Sequence, residues 1–260
     1  MENDYKEGKI NIQPDIFCYH NVLHASCSNQ QVSAAEKLLL HMENLCEEGD
    51  ENHQRKINVR PERLSYVALM LAYMQRFNSM SLEDQKKDTE TIHNIESILE
   101  RMVTLNKKYP KEVYVNRLVL NIVLNAYALS FREDRAKKTL DLLQQMQTMS
   151  ESKENTNVKP DLKTYTTVIH ALKDYEHAAE MTENILERIE TQGDIVLFNT
   201  VLTTLASSDV EKAEEYLNRL EDGQINLNNL QCRPLISAYI EQNSIEGIEK
   251  AEAMLQKMVN

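Results

Sequence analysis

Two apolar patterns recur as a pair six times along the chain, and this repetition limits the possible folds more than any other feature. The pattern that comes second in each pair, called motif B, consists of a small or apolar residue, Leu four places later, and Met, Leu or Ile seven places later. Its copies are Ala35-Leu39-Met42, Ile95-Leu99-Met102, Thr139-Leu143-Met146, Thr182-Leu186-Ile189, Ala213-Leu217-Leu220 and Ala251-Leu255-Met258. This spacing places three side chains on one helical face. The Glu that follows the first residue in five copies lies off that face.

Motif A precedes each copy of motif B and consists of an aromatic or apolar residue, two adjacent apolar residues and a small residue. The copies start at Tyr19, Tyr66, Leu120, Tyr165, Phe198 and Cys232, which are 47, 54, 45, 33 and 34 residues apart. A small residue at a fixed place allows two helices to cross closely. The last two intervals give the basic unit, and the longer ones contain polar insertions at 47–57, 76–91 and 148–157, interpreted as mobile loops or helix extensions. Since one helix pair cannot bury its own apolar faces, six in series predict one continuous α-solenoid.

Composition agrees with a helical chain. The 260 residues include 5 Gly and 5 Pro, where average usage gives roughly 18 and 13. Sandwiches, barrels and Gly-rich nucleotide-binding folds need more turn residues, so we predict an all-α fold, with Pro234 in the first turn of its helix. No apolar run reaches membrane-span length and no signal or transit peptide is recognisable, which predicts a soluble protein without a membrane partner. Four cysteines without CxxC spacing are interpreted as reduced, buried thiols rather than metal ligands or disulfides; they are Cys18, Cys27, Cys46 and Cys232.

Turn signals stand just before four copies of motif A, at Pro14-Asp15, Pro61-Glu62, Pro160-Asp161 and Gly193-Asp194. With these turn signals, the sequence resembles the pentatricopeptide repeat. The resemblance is carried by segments 158–169 (VKPDLKTYTTVI) and 193–202 (GDIVLFNTVL) and by the Ala-Glu-x-x-Leu-x-x-Met form of motif B. The resemblance covers essentially the whole chain and is closest in the last four repeats. The tetratricopeptide repeat is the nearest alternative, but its Trp and Leu-Gly-x-x-Tyr features are absent.

The resemblance implies a right-handed α-solenoid of about six helix-turn-helix repeats with polar insertions. The implied repeats are 16–62, 63–116, 117–161, 162–194, 195–228 and 229–260, and residues 1–15 end a preceding partial repeat. Met1-Glu2-Asn3 matches Met42-Glu43-Asn44 at the end of a motif B, and no polar capping helix follows Met258. We therefore expect 1–260 to be part of a longer protein, which melting of this chain against one extended at both ends would test.

For function, the resemblance implies binding of single-stranded RNA, one base per repeat, read by two or three side chains. The first specifying position holds His20, Val67, Asn121, Thr166, Asn199 and Arg233. Its partner at the repeat end is Glu62, Asn116, Asp161, Asp194 or Asn228. The position that packs on the bases holds Phe17, Leu64, Leu118, Val196 and Leu230, with Lys163 as the departure in the fourth repeat.

Three of these pairs match the recognition pattern of the family. Asn121 with Asp161 resembles a uracil reader, Thr166 with Asp194 a guanine reader, and Asn199 with Asn228 a cytosine reader. Amide and hydroxyl groups suit this role because they can donate to or accept from a Watson–Crick edge. The first two repeats and Arg233 depart from the pattern, so a contiguous U-G-C preference is the hypothesis. Polar residues near a helix start are also common caps and need no ligand.

The formal net charge of −12 argues at first sight against a nucleic-acid partner. However, the segments that carry motif A contain no acidic residue and have a net charge of +5, so the rest of the chain carries −17. These segments are 16–27, 63–75, 117–130, 162–173, 195–206 and 229–240. Their bases are Arg63, Arg117, Lys163, Lys173 and Arg233. Five bases predict modest, strongly salt-dependent attraction to phosphates.

Signals for chemistry are weak. His20 and His24 have a spacing that can bind metal, but no carboxylate or third His stands nearby in sequence, so we predict no metal site. No deaminase signature, phosphate-binding Gly loop or nucleophile elbow occurs, so we expect neither an enzyme nor a cofactor or small-molecule substrate. The family resemblance places the protein in mitochondrial or plastid RNA metabolism: processing, stability or translation. The alternative is a protein–protein interaction scaffold, which the acidic total and the first two repeats keep open.

Overall fold

Thirteen α-helices build the part of the chain that the computed structural model describes, residues 14–51, 59–151, 156–187, 189, 195–222 and 229–259. They are α1 (Ile16–Ser28), α2 (Val32–Glu51), α3 (Arg63–Ser79), α4 (Leu82–Lys87), α5 (Glu90–Lys108), α6 (Arg117–Leu129), α7 (Arg135–Glu151), α8 (Leu162–Ala171), α9 (Ala178–Leu186), α10 (Ile195–Ser208), α11 (Val210–Asp222), α12 (Asn229–Glu241) and α13 (Ile245–Val259). A short 3-10 helix spans Thr156–Val158. No strand occurs in these ranges, so the prediction of an all-α repeat fold is confirmed.

Motif A lies on α1, α3, α6, α8, α10 and α12, and motif B on α2, α5, α7, α9, α11 and α13, apart from Ile189, which follows the end of α9. The insertions are largely helical where they are described. The second contains the end of α3 and all of α4, while α2 and α7 continue into the first and third. Residues 1–13, 52–58 and 152–155 lie outside the described residues, including most of the predicted partial repeat at 1–15.

The chain divides into two compact units, Met1–Ala126 (unit 1) and Tyr127–Asn260 (unit 2). In unit 1, α1 packs on α2 and α3, and α3 also packs on α2 and α5. In unit 2, α8 packs on α7, α9 and α10, α10 packs on α11 and α12, and α12 packs on α13. In the pairs α1–α3, α8–α10 and α10–α12, therefore, a helix that carries motif A contacts the next such helix as well as its own partner.

The apolar faces predicted from motif B form much of the core. The first residue of the motif is buried in every copy: Ala35, Ile95, Thr139, Thr182, Ala213 and Ala251. Four later positions, Leu99, Ile189, Leu255 and Met258, are not fully buried. Leu99 is only half-buried because its neighbour Ile98 occupies the core instead. Leu255 is 49% exposed, since α13 packs mainly against α12.

Left-handed residues close the turns between paired helices in three repeats. Gln30, Asp174 and Asn243 have φ angles of 59°, 68° and 49°. In the first of these turns, the backbone N–H of Gln31 donates to the carbonyl oxygen of Ser26 over 2.8 Å, which satisfies a carbonyl at the helix end. Asn and Asp tolerate this conformation better than most residues, which explains how the chain forms helical hairpins with so few glycines.

Three glutamates on motif B helices connect one hairpin to the next within a unit. The hydroxyl of Tyr73 on α3 donates to Glu36 on α2. In unit 2, Lys212 Nζ lies 2.7 Å from Glu183 Oε2, and Lys250 Nζ lies 2.9 Å from Glu214 Oε1. Glu36, Glu183 and Glu214, which follow the first motif B residue, thus have a structural role: they link consecutive repeats.

Two sequence-based expectations are wrong. Pro234 lies in the interior of α12, five residues after Asn229, rather than in its first turn; with no N–H, it cannot donate to the carbonyl one helical turn earlier. Cys18 is exposed on α1, although Cys27, Cys46 and Cys232 are buried, and all four are free thiols. Across the described ranges, no helix combines the length and the apolar character that a membrane span needs.

Candidate nucleic-acid interface

An apolar side chain projects into solvent from the first turn of four of the motif A helices. Phe17, Leu64, Leu118 and Val196 are 70%, 50%, 47% and 64% exposed. Each is the second residue of its helix. Leu230 occupies the same place in α12, but its side chain lies outside the described residues, and Lys163 in α8 is an exposed cation. A repeated, water-exposed apolar group is what a surface for stacking flat rings requires.

In unit 1, the first specifying positions have little hydrogen-bonding capacity left. His20 is half-buried and its Nε2 lies 2.9 Å from the hydroxyl oxygen of Ser65. Burial lowers the pKa of His20, an effect opposed by Glu62 and reinforced by His24, so the ring is neutral near pH 7. Val67 is 6% exposed. Both residues contribute mainly to the packing of α1 on α3.

The corresponding residues of repeats three to six are polar or charged and lie at least partly at the surface. Asn121, Thr166 and Asn199 are all half-buried, and Arg233 is exposed. The Thr166 hydroxyl donates to the carbonyl oxygen of Leu162 over 2.8 Å, which leaves its oxygen able to accept. The Oδ1 atom of Asn199 is buried and has no hydrogen-bond partner among the described residues. A buried acceptor without a partner is costly unless a donor reaches it.

The second specifying positions lie at helix N-termini. Asn116 Oδ1 accepts from the backbone N–H of Val119 over 3.2 Å at the start of α6. Asp161 Oδ1 accepts from the backbone N–H of Thr164 over 2.9 Å, and the Thr164 hydroxyl accepts in return from the Asp161 N–H. This reciprocal pair is a capping box. Glu62 occupies the N-cap position of α3 without a side-chain capping bond. Asp194 and Asn228 lie outside the described residues.

The basic residues of the motif A helices differ in how far the fold engages them. Arg63 stacks over the Tyr114 ring at 5.0 Å, whereas Lys163 and Arg233 are exposed. The helix bounds also correct the charge pattern predicted from sequence. Lys173 follows the end of α8, and α12 extends to Glu241 and so includes one acid.

Each unit has a depression beside its motif A helices. In unit 1, a groove of about 240 Å³ lies between α1 and α3 and is lined mainly by apolar groups, among them Leu64, Val67 and Leu71. In unit 2, a cleft of about 330 Å³ between α10 and α12 is lined by polar and charged groups, including Lys173 and Arg233, together with Ala206, Pro234 and Ala238. The two differ in chemistry, and only the cleft of unit 2 includes cations.

The possible histidine site of the first repeat is not assembled as a metal centre. His24 is exposed, and His20 is bonded to Ser65. Within the described ranges, no group of three or more His, Cys, Asp or Glu side chains is placed to hold a metal ion.

Comparison with solved structures places this fold among pentatricopeptide repeat proteins. The chain is similar to the pentatricopeptide repeat protein PPR10 in complex with an 18-nucleotide psaJ RNA element, with a TM-score of 0.57 and 13% identity over 98% of this chain and 31% of that one. It is also similar to the nuclear proteinaceous RNase P 2 (PRORP2) of A. thaliana, with a TM-score of 0.60 and 15% identity over 86% of this chain and 42% of that one.

These similarities confirm the resemblance at the level of the fold: the chain is a pentatricopeptide-like helical-repeat protein. It spans 31% of the length of PPR10 and 42% of that of PRORP2. No protein-family model matches the sequence, and no curated protein sequence matches it significantly.

Proposed function

We propose that the chain binds single-stranded RNA with its motif A helices, stacking bases on the exposed first-turn side chains and selecting among them with the polar residue three positions later. The observation that carries this proposal is the repeated exposure of Phe17, Leu64, Leu118 and Val196. An apolar residue that only filled the core would be buried. Stacking of a base on an aromatic ring such as that of Phe17 contributes about 1–3 kcal/mol and tolerates any base, and the aliphatic Leu64, Leu118 and Val196 offer apolar surface for a base to pack on.

Selection among bases is proposed for repeats three to five, in the order uracil, guanine, cytosine. The acceptor oxygen of Thr166 suits the N–H donors on the Watson–Crick edge of guanine, since its own hydrogen is engaged in α8. The unpartnered Oδ1 of Asn199 suits the amino group of cytosine. Asn121 is the proposed uracil reader. Asp161 is its proposed partner, held in place by the capping box with Thr164.

The proposed biological role is in mitochondrial or plastid RNA metabolism, through sequestration or remodelling of a transcript in its processing, stability or translation. One similar structure is described as a complex with an RNA element, and the other as an RNase P. Both descriptions concern RNA, which supports this choice. We propose binding rather than catalysis for this chain, because its candidate residues are suited to hydrogen bonding and stacking.

A protein–protein scaffold is the second candidate function, favoured by the apolar groove of unit 1. Leu64 and Leu71 are 50% and 49% exposed along this groove, and the neighbouring specifying residues His20 and Val67 offer little to a base. A partner segment with apolar side chains would bury these leucines. In that case unit 1 would bind protein whether or not unit 2 binds RNA.

Filter binding at low salt with short RNAs tests the first proposal. The substitution Thr166→Ala is compared with Thr167→Ala, a matched control on the same helix whose hydroxyl also donates to a carbonyl one turn earlier. We expect Thr166→Ala to lower the preference for U-G-C over U-A-C roughly fivefold, as loss of one net hydrogen bond of about 1 kcal/mol predicts. Thr167→Ala should leave that preference unchanged.

Two other outcomes separate the alternatives. Equal affinity of the unchanged protein for RNAs with and without U-G-C would refute the base assignment but leave stacking intact. If the unchanged protein retains no RNA from a random pool at any salt concentration, the scaffold becomes the better proposal.

A further inference from the structure

We propose that the cleft of unit 2 binds a phosphodiester group of the RNA strand, so that the sixth repeat anchors the backbone instead of reading a base. This inference rests on the proposed RNA binding. Its donors are Arg233 on α12 and Lys173 just after α8, which line the same cleft of about 330 Å³. Arg233 occupies the first specifying position, where the other repeats of unit 2 carry Thr166 and Asn199.

Both cations are available to a ligand. Each is exposed, and neither forms an ion pair or a side-chain hydrogen bond with any part of the chain that the structure describes. A neighbouring cation, Arg135, is by contrast paired: its Nη2 lies 3.3 Å from Asp174 Oδ2 and donates over 2.7 Å to the carbonyl oxygen of Lys173. The acid that lines the cleft itself is Glu241.

The hydroxyl groups of the cleft identify which atoms could contact an anion. Thr203 donates its hydrogen to the carbonyl oxygen of Asn199, and Ser207 donates to that of Thr204, so these two oxygens offer only lone pairs. A phosphate has no donor for them. Binding would therefore depend on the guanidinium of Arg233, the ammonium of Lys173 and the exposed hydroxyl of Ser237.

The local electrostatics agree with an anion. The pKa of His170, on α8 and close to this cleft in sequence, is lowered mainly by burial and further by the positive charges of Arg135 and Lys173. Lys173 thus contributes positive charge to this region, while Glu241 is the acid that lines the same cleft.

A phosphodiester suits these donors better than a base. Arginine presents five N–H donors in a planar fork and no acceptor, and this fork matches two phosphate oxygens. An amide or hydroxyl can both donate and accept, as base selection needs. Arg233 at the sixth specifying position is therefore suited to attracting a charged phosphodiester and not to selecting a base.

The salt dependence of RNA binding tests this inference. We would measure binding of a single-stranded RNA by the full chain from about 50 to 200 mM salt, with Arg233→Gln, Lys173→Gln and the double variant. The control is Lys137→Gln, which removes an exposed cation on α7 outside the cleft. Each cleft substitution should reduce the slope of log K against log salt by about 0.7, and the double variant by about twice that. The control should leave the slope unchanged.

Three further readouts decide the assignment. The cleft variants should weaken binding by the same factor for each of the four bases placed opposite the sixth repeat. A changed base preference with an unchanged salt slope would instead show that the sixth repeat reads a base, and would refute phosphodiester binding by the cleft. Replacing chloride by inorganic phosphate at constant ionic strength should change binding less than twofold, and strong competition would assign the cleft to free phosphate instead. If the unchanged protein retains no RNA at low salt, the proposed function fails and this inference with it. Circular dichroism checks that every variant is folded.

Discussion

Arg101→Met should strongly destabilise unit 1, because it removes one member of an internal ion pair. Arg101 on α5 donates from Nε to Glu43 Oε2 on α2 over 3.1 Å, and its Nη2 lies 2.9 Å from the same oxygen. The two side chains are 20% and 12% exposed. The Tyr66 hydroxyl on α3 also donates to Glu43 over 2.8 Å. One carboxylate therefore joins three helices.

The magnitude follows from the burial of Glu43. Removing one partner of a buried pair costs about 3–5 kcal/mol, because the remaining charge loses both its solvation and its counter-ion. Glu43 keeps the bond from Tyr66 and a little solvent contact, so we expect the lower end, about 3 kcal/mol. Burial, together with Glu43, raises the pKa of Tyr66 well above its ordinary value, so this hydroxyl stays a donor at neutral pH.

Adding Glu43→Leu and Tyr66→Phe should recover much of the lost stability, because an apolar replacement of a buried polar cluster is often neutral or stabilising. Urea denaturation followed by helical circular dichroism measures the free energy of unfolding of each variant, and the difference between the single and triple variants gives the stability that the apolar replacement recovers. A loss below about 1 kcal/mol for Arg101→Met would refute the reasoning. So would a triple variant less stable than the single one.

Other predictions concern stability elsewhere in the chain. A Cβ at Gly247 would stand 2.4 Å from the carbonyl oxygen of Tyr239, so Gly247→Ala should lower the free energy of unfolding, measured in urea, by about 1–3 kcal/mol. At an unhindered helical site the same substitution would raise it by up to about 1 kcal/mol, so any increase would contradict the close approach of α13 to α12. Burial raises the pKa of Tyr216 to about 12, whereas tyrosine in the unfolded chain deprotonates near pH 10. The contribution of this shift to folding stability is therefore complete below pH 10 and is lost as the pH rises towards 12. Tyr216→Phe should therefore make melting less sensitive to pH in that range, and an unchanged pH profile would refute the assignment. Asp161→Ala should lower stability by about 1 kcal/mol through loss of the capping box with Thr164, while Asp161→Asn, which keeps an acceptor, should lose much less.

Much of the fold could be predicted from the sequence because the same apolar pattern occurs six times along the chain. The i, i+4, i+7 spacing of motif B identified the helices and most of their buried faces. It could not place Leu99, since Ile98 offers an equally apolar side chain one position earlier and packing decides between them. The expectation for Pro234 relied on the preference of proline for a first helical turn, but the predicted segment 229–240 and α12 both begin at Asn229, which places Pro234 in the helix interior.

The candidate site was predicted less completely, since a position in a repeat does not reveal what else a side chain contacts. The family resemblance predicted Phe17, Leu64, Leu118 and Val196 as residues that pack on bases, and each of them is exposed near the start of its helix. The sequence could not show that Ser65, forty-five residues away, engages His20. Nor could it show that Arg233 and Lys173, from different repeats, line one cleft. These facts depend on the packing of one hairpin on the next.

The structure separates the candidate residues by whether the fold has already used their hydrogen bonds. His20 is bonded to Ser65, and Asp161 caps α8; both would be retained for stability even without a ligand. The buried Oδ1 of Asn199 and the exposed guanidinium of Arg233 have no such structural use among the described residues. A buried acceptor without a partner destabilises the free protein, so a ligand that supplies the donor recovers that free energy on binding. Discrimination between ligands should therefore depend more on unit 2 than on the first two repeats.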